Sequence, residues 1–200
     1  MTVIRDVAAL EAIYGTPGKA SVIKVTDYLT PAYRAWIMAS RLAMLSTVGP
    51  EGTDCSPRGD DGPVVKEQDS KTLLMPDWRG NNRMDSLRNI VRDGRVSVMF
   101  LVPGSNNVIR VNGTAEVSIA DNLLAQFSDK GRMPRSVIIV HIAEVYSQCA
   151  RALMRARTWG SGDESADLPT VGQMLAEVEA GFDGAEYDAA WGARAAKTMW

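Results

Sequence analysis

Residues 109–119 alternate strictly between apolar and polar side chains, and this pattern constrains the fold more than any other in the chain. Successive side chains of a β-strand point to opposite faces, so a period of two predicts an extended strand with one apolar face. The apolar face carries Ile109, Val111, Gly113, Ala115, Val117 and Ile119, and the polar face carries Arg110, Asn112, Thr114, Glu116 and Ser118. The segment therefore predicts a long strand with one face turned towards a core.

Further strands are predicted on both sides of this segment, joined by short helices and hairpin turns. We expect strands at residues 42–48, 53–57, 71–75, 95–102 and 136–146, the last two with apolar residues on both faces. We expect one helix at residues 5–14, a second that begins at Pro31 with Thr30 as its cap, and a third at residues 121–130 with Asp121 as its cap. Residues 148–157 are expected to be helical or turn-like. This order predicts a mainly β, α+β fold built on a small, mostly antiparallel barrel.

The composition changes after Trp159. Residues 160–167 read as a linker of Gly, Ser and acidic residues, and the segment after them is Ala-rich with helical character. We therefore predict one domain over residues 1–160, followed by a linker and helical extension over residues 161–200. The extension is expected to pack on its own barrel or on a partner subunit through its apolar anchors, Phe182, Tyr187, Trp191 and Trp200.

Charge and cysteine content exclude several classes of protein. A net charge of −2 implies neither nucleic acid nor an anionic membrane surface as a partner, and the apolar runs are too short to span a bilayer. Cys55 and Cys149 are too few for a disulfide scaffold and predict a reducing, cytoplasmic setting. With His141 as the single histidine, we expect no metal site, and the usual glycine-rich nucleotide motifs are missing.

The strongest functional signal lies at residues 75–90, where a strand end, a turn and a helix follow one another. Apolar residues at helical spacing predict the helix, with Asn81 or Asn82 as its cap. Arg79 and Arg83 then lie at the helix start, where the backbone dipole disfavours a cation by about 0.3–1 kcal/mol. An anion held between them and the free N–H groups reverses this cost, so the segment predicts a phosphate cradle. Two solvated arginines on a surface turn are the alternative.

Four stretches of sequence carry a family resemblance. They are Leu-Ser-Thr-Val-Gly-x-x-Gly with a following Ser-Pro-Arg-Gly-Asp, Pro-Asp-x-x-Gly-Asn-Asn-Arg-x-Asp-Ser-Leu-x-Asn-Ile, Arg-Val-Asn-Gly-Thr-Ala at 110–115, and Cys-Ala-Arg-Ala-Leu-x-Arg-Ala-Arg-x-Trp at 149–159. Over roughly residues 30–160, the chain resembles a flavoprotein branch of the pyridoxamine 5′-phosphate oxidase-like family of FMN-binding split barrels.

The resemblance implies an antiparallel split β-barrel with short flanking helices and FMN as the cofactor. It also implies a homodimer with the cofactor at the subunit interface. Arg83 matches the family's basic phosphate ligand, with Asn82 beside it. Arg79, Asn81 and Ser86 are expected to help through side chains or backbone N–H groups.

The resemblance assigns the rest of the cofactor site to two other segments. Ser56 and Arg58 match positions that line the flavin ring and the ribityl chain. Arg151, Arg157 and Trp159 match the C-terminal segment, which in the family reaches the cofactor, often from the neighbouring subunit.

One departure from the family pattern bears on function. The C-terminal Arg-x-His signature of the true oxidase is missing, so we do not expect oxidation of vitamin B6. The expected function is an FMN-dependent oxidoreductase that acts on a small molecule, with NADH or NADPH as the electron donor. The alternatives are a flavin carrier or sensor without turnover, or a binder of F420 or haem, with His141 as the haem ligand. The pattern assigns no catalytic residue and leaves these functions open.

Overall fold

Seven strands form one antiparallel sheet in the part of the chain that the computed structural model describes, residues 3–129 and 131–199. The strands are β1 (Leu42–Gly49), β2 (Gly52–Gly59), β3 (Lys66–Asp69), β4 (Thr72–Asp77), β5 (Arg95–Leu101), β6 (Val108–Ser118) and β7 (Ser136–Gln148). Their order across the sheet is β2-β1-β5-β6-β7-β4-β3. The predicted α+β class with an antiparallel sheet is confirmed, and β3 is a short edge strand that the sequence pattern did not indicate.

Short helices flank the sheet and follow it. The described helices are α1 (Val7–Tyr14), α2 (Lys19–Ile23), α3 (Pro31–Met38), α4 (Asp85–Arg92), α5 (Asp121–Leu124), α6 (Arg151–Ala156), α7 (Val171–Val178), α8 (Gly184–Ala189) and α9 (Trp191–Thr198). The start of α3 is as predicted, because Thr30 Oγ1 accepts a hydrogen bond from Tyr33 N at 3.2 Å and Pro31 needs no partner in the first turn. None of the described helices is long and apolar enough to cross a lipid bilayer.

The segment after β6 is shorter and tighter than predicted. α5 ends at Leu124 and passes into a 3-10 turn at Ala125–Phe127, and Asp121 lies inside the helix instead of capping it. The tight turn brings the Phe127 ring into a small apolar cluster with side chains of β4 and β7. Burial of this ring outweighs the longer regular helix that local spacing favours. Lys130, the last residue of the predicted helix, lies outside the described residues.

The sheet curls over one main core, so strands far apart in the sheet order share buried contacts. Leu45 and Phe100 come from β1 and β5, Leu73 and Ile138 come from β4 and β7, and all four belong to one cluster with at most 1% exposure. Strands β2 and β3 remain as edges, so the barrel stays open. This open, curled sheet is the split-barrel architecture that the resemblance implied.

The sequence predicts apolar residues on both faces of β5 and β7, and burial of both faces for β5. In β5 the inner face meets the core through Val98 and Phe100, whereas on the outer face Met99 is only half-buried and Leu101 at the strand end is 8% exposed. Burial of both faces of β5 therefore holds only at the end of the strand. In β7, Val137 and Ile138 point to opposite faces and both are fully buried, because the small cluster beside the 3-10 turn covers the outer face there.

The two longest strands, β6 and β7, approach each other unusually closely at one point. Their pairing shifts between Asn112 and Gly113, and a Cβ atom on Gly113 would lie 1.9 Å from the backbone oxygen of His141. Only glycine fits at this distance. The predicted alternation otherwise holds along β6, except that Ile119 lies beyond its end and is 75% exposed.

The three C-terminal helices pack on one another, which confirms the helical character predicted for the extension. α7 begins with a capping box, and α7 and α8 lie so close that a Cβ atom on Gly172 would be 2.1 Å from the backbone oxygen of Gly184. Trp191 remains 59% exposed, and Trp200 lies outside the described residues. The domain boundary between residues 160 and 161 stays a prediction.

Candidate functional site

A cavity of about 550 Å³ opens where the edge strand β2 faces the end of β4. Its walls come from alternate residues of β2, the end of β4, the loop at residues 80–84, the first turn of α4 and the start of β7. This volume lies in the range of small-molecule and cofactor sites. The walls mix guanidinium groups, carboxylates and hydroxyls, so they suit a ligand with several polar groups.

Most of the site residues predicted from the sequence line this cavity. They are Ser56, Arg58, Asn81, Asn82, Arg83 and Ser86. Arg79 lies in the loop after β4, but it is exposed and does not belong to the cavity wall. The segment at residues 75–90 and the strand face of β2 are thus brought together on two sides of one opening.

The start of α4 differs from the prediction. The helix begins at Asp85 with Met84 in the N-cap position, so neither Asn81 nor Asn82 caps it. Met84 and Asn82 have φ angles of 57° and 64°, in the left-handed region, and they turn the chain sharply before the helix. The side chain of Asn81 instead accepts a hydrogen bond from Arg83 N at 3.0 Å. The cap prediction is therefore wrong, because local side-chain bonds stabilise the loop in place of the helix end.

Arg83 lies at the mouth of the cavity with a carboxylate beside it. Its Nε donates to Asp85 at the first position of α4, and this hydrogen bond raises the pKa of the Arg83 guanidinium above its ordinary value. A carboxylate is also the favourable partner for a helix N-terminus. The phosphate-cradle prediction depends on an unfavourable interaction between Arg83 and the helix dipole. Asp85 already compensates this interaction. The Arg83 side chain is 79% exposed, so an incoming anion can reach it.

Arg58 joins the two sides of the opening. Its Nη1 donates to Asp77 Oδ1 at 2.5 Å, and the side chains of Arg58 and Asp77 are 20% and 15% exposed. Its Nε is buried and has no hydrogen-bond partner among the residues that the structure describes. Leaving a buried donor of a charged group unpaired is costly. The Nε atom itself lies below the accessible surface, but the guanidinium group as a whole lines the cavity, so Arg58 offers a ligand only donors.

A chain of hydrogen bonds connects β2 with α4 in the same wall. Ser86 Oγ donates to Asp54 Oδ2 at 2.5 Å, and Ser56 Oγ lies 2.9 Å from Ser86 Oγ. Ser86 is buried, and all three side chains line the cavity. Asp54 was not predicted, although it shares a strand face with Ser56 and Arg58 at a spacing of two residues. That alternation was the sequence signal that could have identified it.

Three further cavity residues were missed for different reasons. Asp77 lies two residues after the predicted strand at 71–75, so its place near the strand end could have been inferred. Arg135 is remote in sequence, and only the pairing of β4 with β7 brings it in. Its Nη1 donates to Asn82 Oδ1 at 2.6 Å. Trp78 gave no chemical signal in the sequence.

Trp78 separates the main cavity from a second one of about 420 Å³. Its Nε1 donates to Asp60 Oδ2 at 2.9 Å, which fixes the indole at the end of β4. Beyond it, Lys66 Nζ lies 5.1 Å from the centroid of the Phe127 ring, within the range of a cation–π contact. The two cavities therefore share an aromatic wall.

The C-terminal residues of the predicted site lie elsewhere. Arg151, Arg157 and Trp159 line neither cavity of their own chain. Trp159 Nε1 donates to the backbone oxygen of Ser105 at 2.7 Å, which fixes the indole beside the β5–β6 connection. The single chain thus does not bring these three residues to the others, and their role in a partner's site stays a prediction.

The possible haem ligand, His141, lies away from both cavities. His141 is exposed on β7, paired with Thr72 and Thr114 of the neighbouring strands, and it lines neither cavity. Among the described residues, no group of His, Cys, Asp and Glu side chains could hold a metal ion.

Solved structures of similar fold were found in several bacteria. A HupZ variant from Group A Streptococcus is 19% identical, with a TM-score of 0.50, and the match covers 60% of this chain and 98% of that one. A candidate pyridoxamine 5′-phosphate oxidase from Lactobacillus delbrueckii is 22% identical, with a TM-score of 0.48 and coverage of 60% and 95%. The FAD binding protein of Mycobacterium smegmatis is 13% identical, with a TM-score of 0.41 and coverage of 62% and 97%.

Comparison with curated protein sequences gives no significant match. The family model described as pyridoxamine 5′-phosphate oxidase, in contrast, matches residues 29–149. This range runs from the residue before the α3 cap to the residue after β7, and it contains all of the sheet and the whole of the main cavity. Because the match spans more than half of the 200 residues, the chain belongs to the pyridoxamine 5′-phosphate oxidase family.

Proposed function

We propose that the protein binds FMN in the cavity between β2 and α4 and acts as an oxidoreductase on a small molecule. The observation that carries this proposal is a cofactor-sized cavity whose wall combines the guanidinium groups of Arg58 and Arg83 with carboxylate and hydroxyl groups. The guanidinium groups of the cavity can donate to the carbonyl oxygens and the phosphate of FMN. Its carboxylate and hydroxyl groups can bind the hydroxyl groups of FMN. FMN is the usual cofactor of the family, and this also supports FMN as the ligand of the cavity.

When bound, FMN would supply the redox chemistry, because electron and hydride transfer belong to the cofactor and the protein provides binding and electrostatics. Arg58 would donate to a ring carbonyl through its guanidinium group while Asp77 holds Nη1. Its positive charge would favour added negative charge on the pyrimidine edge of the ring. Asp54 would accept hydrogen bonds from ribityl hydroxyls. The chain needs no acid or base of its own for this role.

The phosphate would lie at the mouth of the cavity, where Arg83 is exposed beside the loop. To bind it, Arg83 has to exchange its Asp85 partner for a phosphate oxygen, which offers more charge and more acceptor atoms. Asn82 and Asn81 lie in the same loop, and Ser86 lies in the first turn of the helix. Arg79 is close in sequence and would add charge from outside the wall.

We further propose a homodimer in which Arg151, Arg157 and Trp159 reach the cofactor site of the partner. These residues are exposed and remote from the cavity of their own chain, so a second subunit is the arrangement that gives them a role at the cofactor. NADH or NADPH is the proposed electron donor. The cytoplasm is the proposed location, since Cys55 and Cys149 are both free.

Two measurements on the purified full-length protein test the function. The first is the absorbance spectrum and mass of the cofactor that co-purifies, where FMN supports the proposal and F420 or haem contradicts it. The second is the anaerobic rate at which NADH and NADPH bleach the flavin absorbance of the loaded protein. Reduction on the scale of enzyme turnover, about 1 per second or faster, supports an oxidoreductase. A bound flavin that neither nicotinamide reduces indicates the competing function, a carrier or sensor.

A further inference from the structure

Asp54 determines which groups donate and which accept in the hydrogen-bonded chain of the cavity wall. The chain Asp54–Ser86–Ser56 consists of two contacts, of 2.5 Å and 2.9 Å. From the distance alone, either serine could donate to the other. The carboxylate of Asp54, however, offers only acceptor atoms, so Ser86 must use its single proton on Asp54.

The rest of the chain is then determined. Ser86 has no second proton, so Ser86 Oγ accepts and Ser56 Oγ donates in the contact between the two serines. Ser56 has thereby also used its only proton. Its remaining lone pair faces a cavity that Ser56 helps to line, so Ser56 presents an acceptor and no donor to a ligand.

The next cavity-facing residue of β2 has the opposite character. Arg58 also lines the cavity, and its guanidinium group has only N–H donors and no acceptor. Side chains two residues apart on a strand lie on the same face, so an obligate acceptor and an obligate donor stand next to each other in the wall. The complementary ligand edge carries an N–H group beside a carbonyl group, as a cyclic imide or lactam does.

We propose that Asp54 is a positioning residue that sets, through Ser86, the acceptor character of Ser56, so that the cavity selects ligands with a ring N–H beside a carbonyl. This inference rests on the proposed function, because the imide edge of the flavin ring, with its N3–H between two carbonyl groups, is the edge in question. Asp54 itself need not touch that edge. Asp54 acts on the ring indirectly, because it determines where the hydroxyl protons of Ser86 and Ser56 point.

The probes are FMN and FMN methylated at the ring nitrogen N3, which keeps the phosphate and the carbonyls but has no N–H. Dissociation constants of both are measured by titration of flavin fluorescence. For the natural protein we expect the methylated flavin to bind at least roughly tenfold more weakly, because a buried acceptor is left unpaired and a methyl group meets it. Equal affinity for the two flavins overturns the inference.

Variants of the chain then separate a positioning role from a merely structural one. In Ser86→Ala, Ser56 is free to turn its proton into the cavity, so the preference for FMN over the methylated flavin should fall. Any contact of Ser86 with the phosphate is lost equally for both flavins and does not change this preference. In Asp54→Asn, the new amide can donate to Ser86, and the preference for FMN should fall in the same way. Ser86→Thr keeps the hydroxyl and should keep the preference. Asp167→Asn, in the exposed linker, is the matched control for the loss of a carboxylate.

The outcomes distinguish the inference from the proposed function. If the natural protein binds neither flavin, the proposed function is wrong and the inference falls with it. If it binds FMN with preference, but Asp54→Asn and Ser86→Ala keep the full preference, the inference alone is wrong. A variant that loses affinity for both flavins by the same factor also contradicts it, because general damage to the cavity does not discriminate between N–H and N–CH₃.

Discussion

Arg58 on β2 and Asp77 at the end of β4 form an ion pair across the opening of the barrel. The two strands are not neighbours in the sheet, since four strands separate them in its order. The pair therefore joins the two sides of the main cavity where no backbone hydrogen bonds connect the strands, and it holds them at a fixed separation.

Removing Arg58 should destabilise the fold as well as the site. Arg58→Ala leaves the largely buried Asp77 carboxylate without its partner, so we expect the free energy of unfolding to fall by about 1–3 kcal/mol. Urea denaturation measures this loss. Arg88→Ala, on the exposed side of α4, is the matched control and should change stability by less than about 0.5 kcal/mol. Equal midpoints for the two variants would show that the pair does not clamp the opening.

Gly113 should be the least replaceable glycine of the sheet. In Gly113→Ala the new methyl group would overlap the backbone oxygen of His141, so β6 and β7 must separate or shift register. We expect a loss of about 3 kcal/mol or more in the free energy of unfolding, measured by denaturant titration. Gly62→Ala adds the same atom with no neighbour within 4 Å and should be close to neutral. A stable Gly113→Ala protein would mean that the close approach of the two strands is not required.

Local sequence patterns predicted those parts of the fold in which the stabilising contacts join residues close together in the sequence. The hairpin of β1 and β2 follows from two short strand-like runs around a Gly-containing turn, and its cavity-lining residues Ser56 and Arg58 follow from the family resemblance. Thr30 and Pro31 set the start of α3 by local hydrogen bonding alone. In such cases the residues that stabilise an element lie within the element.

The parts that escaped prediction depend on contacts between distant segments. Arg135 enters the cavity only because β7 pairs with β4, and no pattern near it indicates that pairing. The 121–130 segment was read as a helix because spacing favours one, but burial of Phe127 against β4 and β7 shortens it. The sequence predicts Asn81 or Asn82 as a helix cap, but Asn81 accepts from Arg83 N and Asn82 accepts from Arg135 Nη1. Except at Asn81, tertiary contacts outweighed local preference in each case.

The oligomeric state should follow from the residues that the single chain leaves outside its cavity. Arg151, Arg157 and Trp159 lie away from the cofactor site of their own chain, so we expect a dimer with two shared sites. Light scattering of the flavin-loaded protein should give the mass of two chains. Trp159→Ala should weaken both association and flavin binding. A monomer that holds its flavin fully would contradict the shared site.

Oxidation of pyridoxamine 5′-phosphate should be negligible despite the family. That reaction needs a second phosphate held and an amine positioned over the flavin, because binding without correct orientation does not accelerate chemistry. The Arg-x-His pair of the true oxidase is missing, and His141 is exposed on β7 away from both cavities. Peroxide production by the FMN-loaded protein measures the activity. Turnover of pyridoxamine 5′-phosphate at about 1 per second or faster would contradict this prediction.

The phosphate assignment can be isolated because riboflavin is FMN without its phosphate. Arg83→Ala removes a charge-assisted contact worth about 1.5–3 kcal/mol, so FMN affinity should fall roughly tenfold or more while riboflavin affinity stays the same. Arg79→Ala should show a smaller change of the same kind. Arg88→Ala, a change of the same charge on the far side of α4, should affect neither flavin.

Titration of flavin fluorescence with FMN and riboflavin, on the natural protein and on Arg83→Ala, is the most direct test that the cavity between β2 and α4 is an FMN site. The account predicts that the natural protein binds FMN more tightly than riboflavin, and that Arg83→Ala loses most of this preference. A natural protein that does not bind FMN would contradict the account. So would Arg83→Ala and Arg79→Ala proteins that both bind FMN as tightly as the natural protein does.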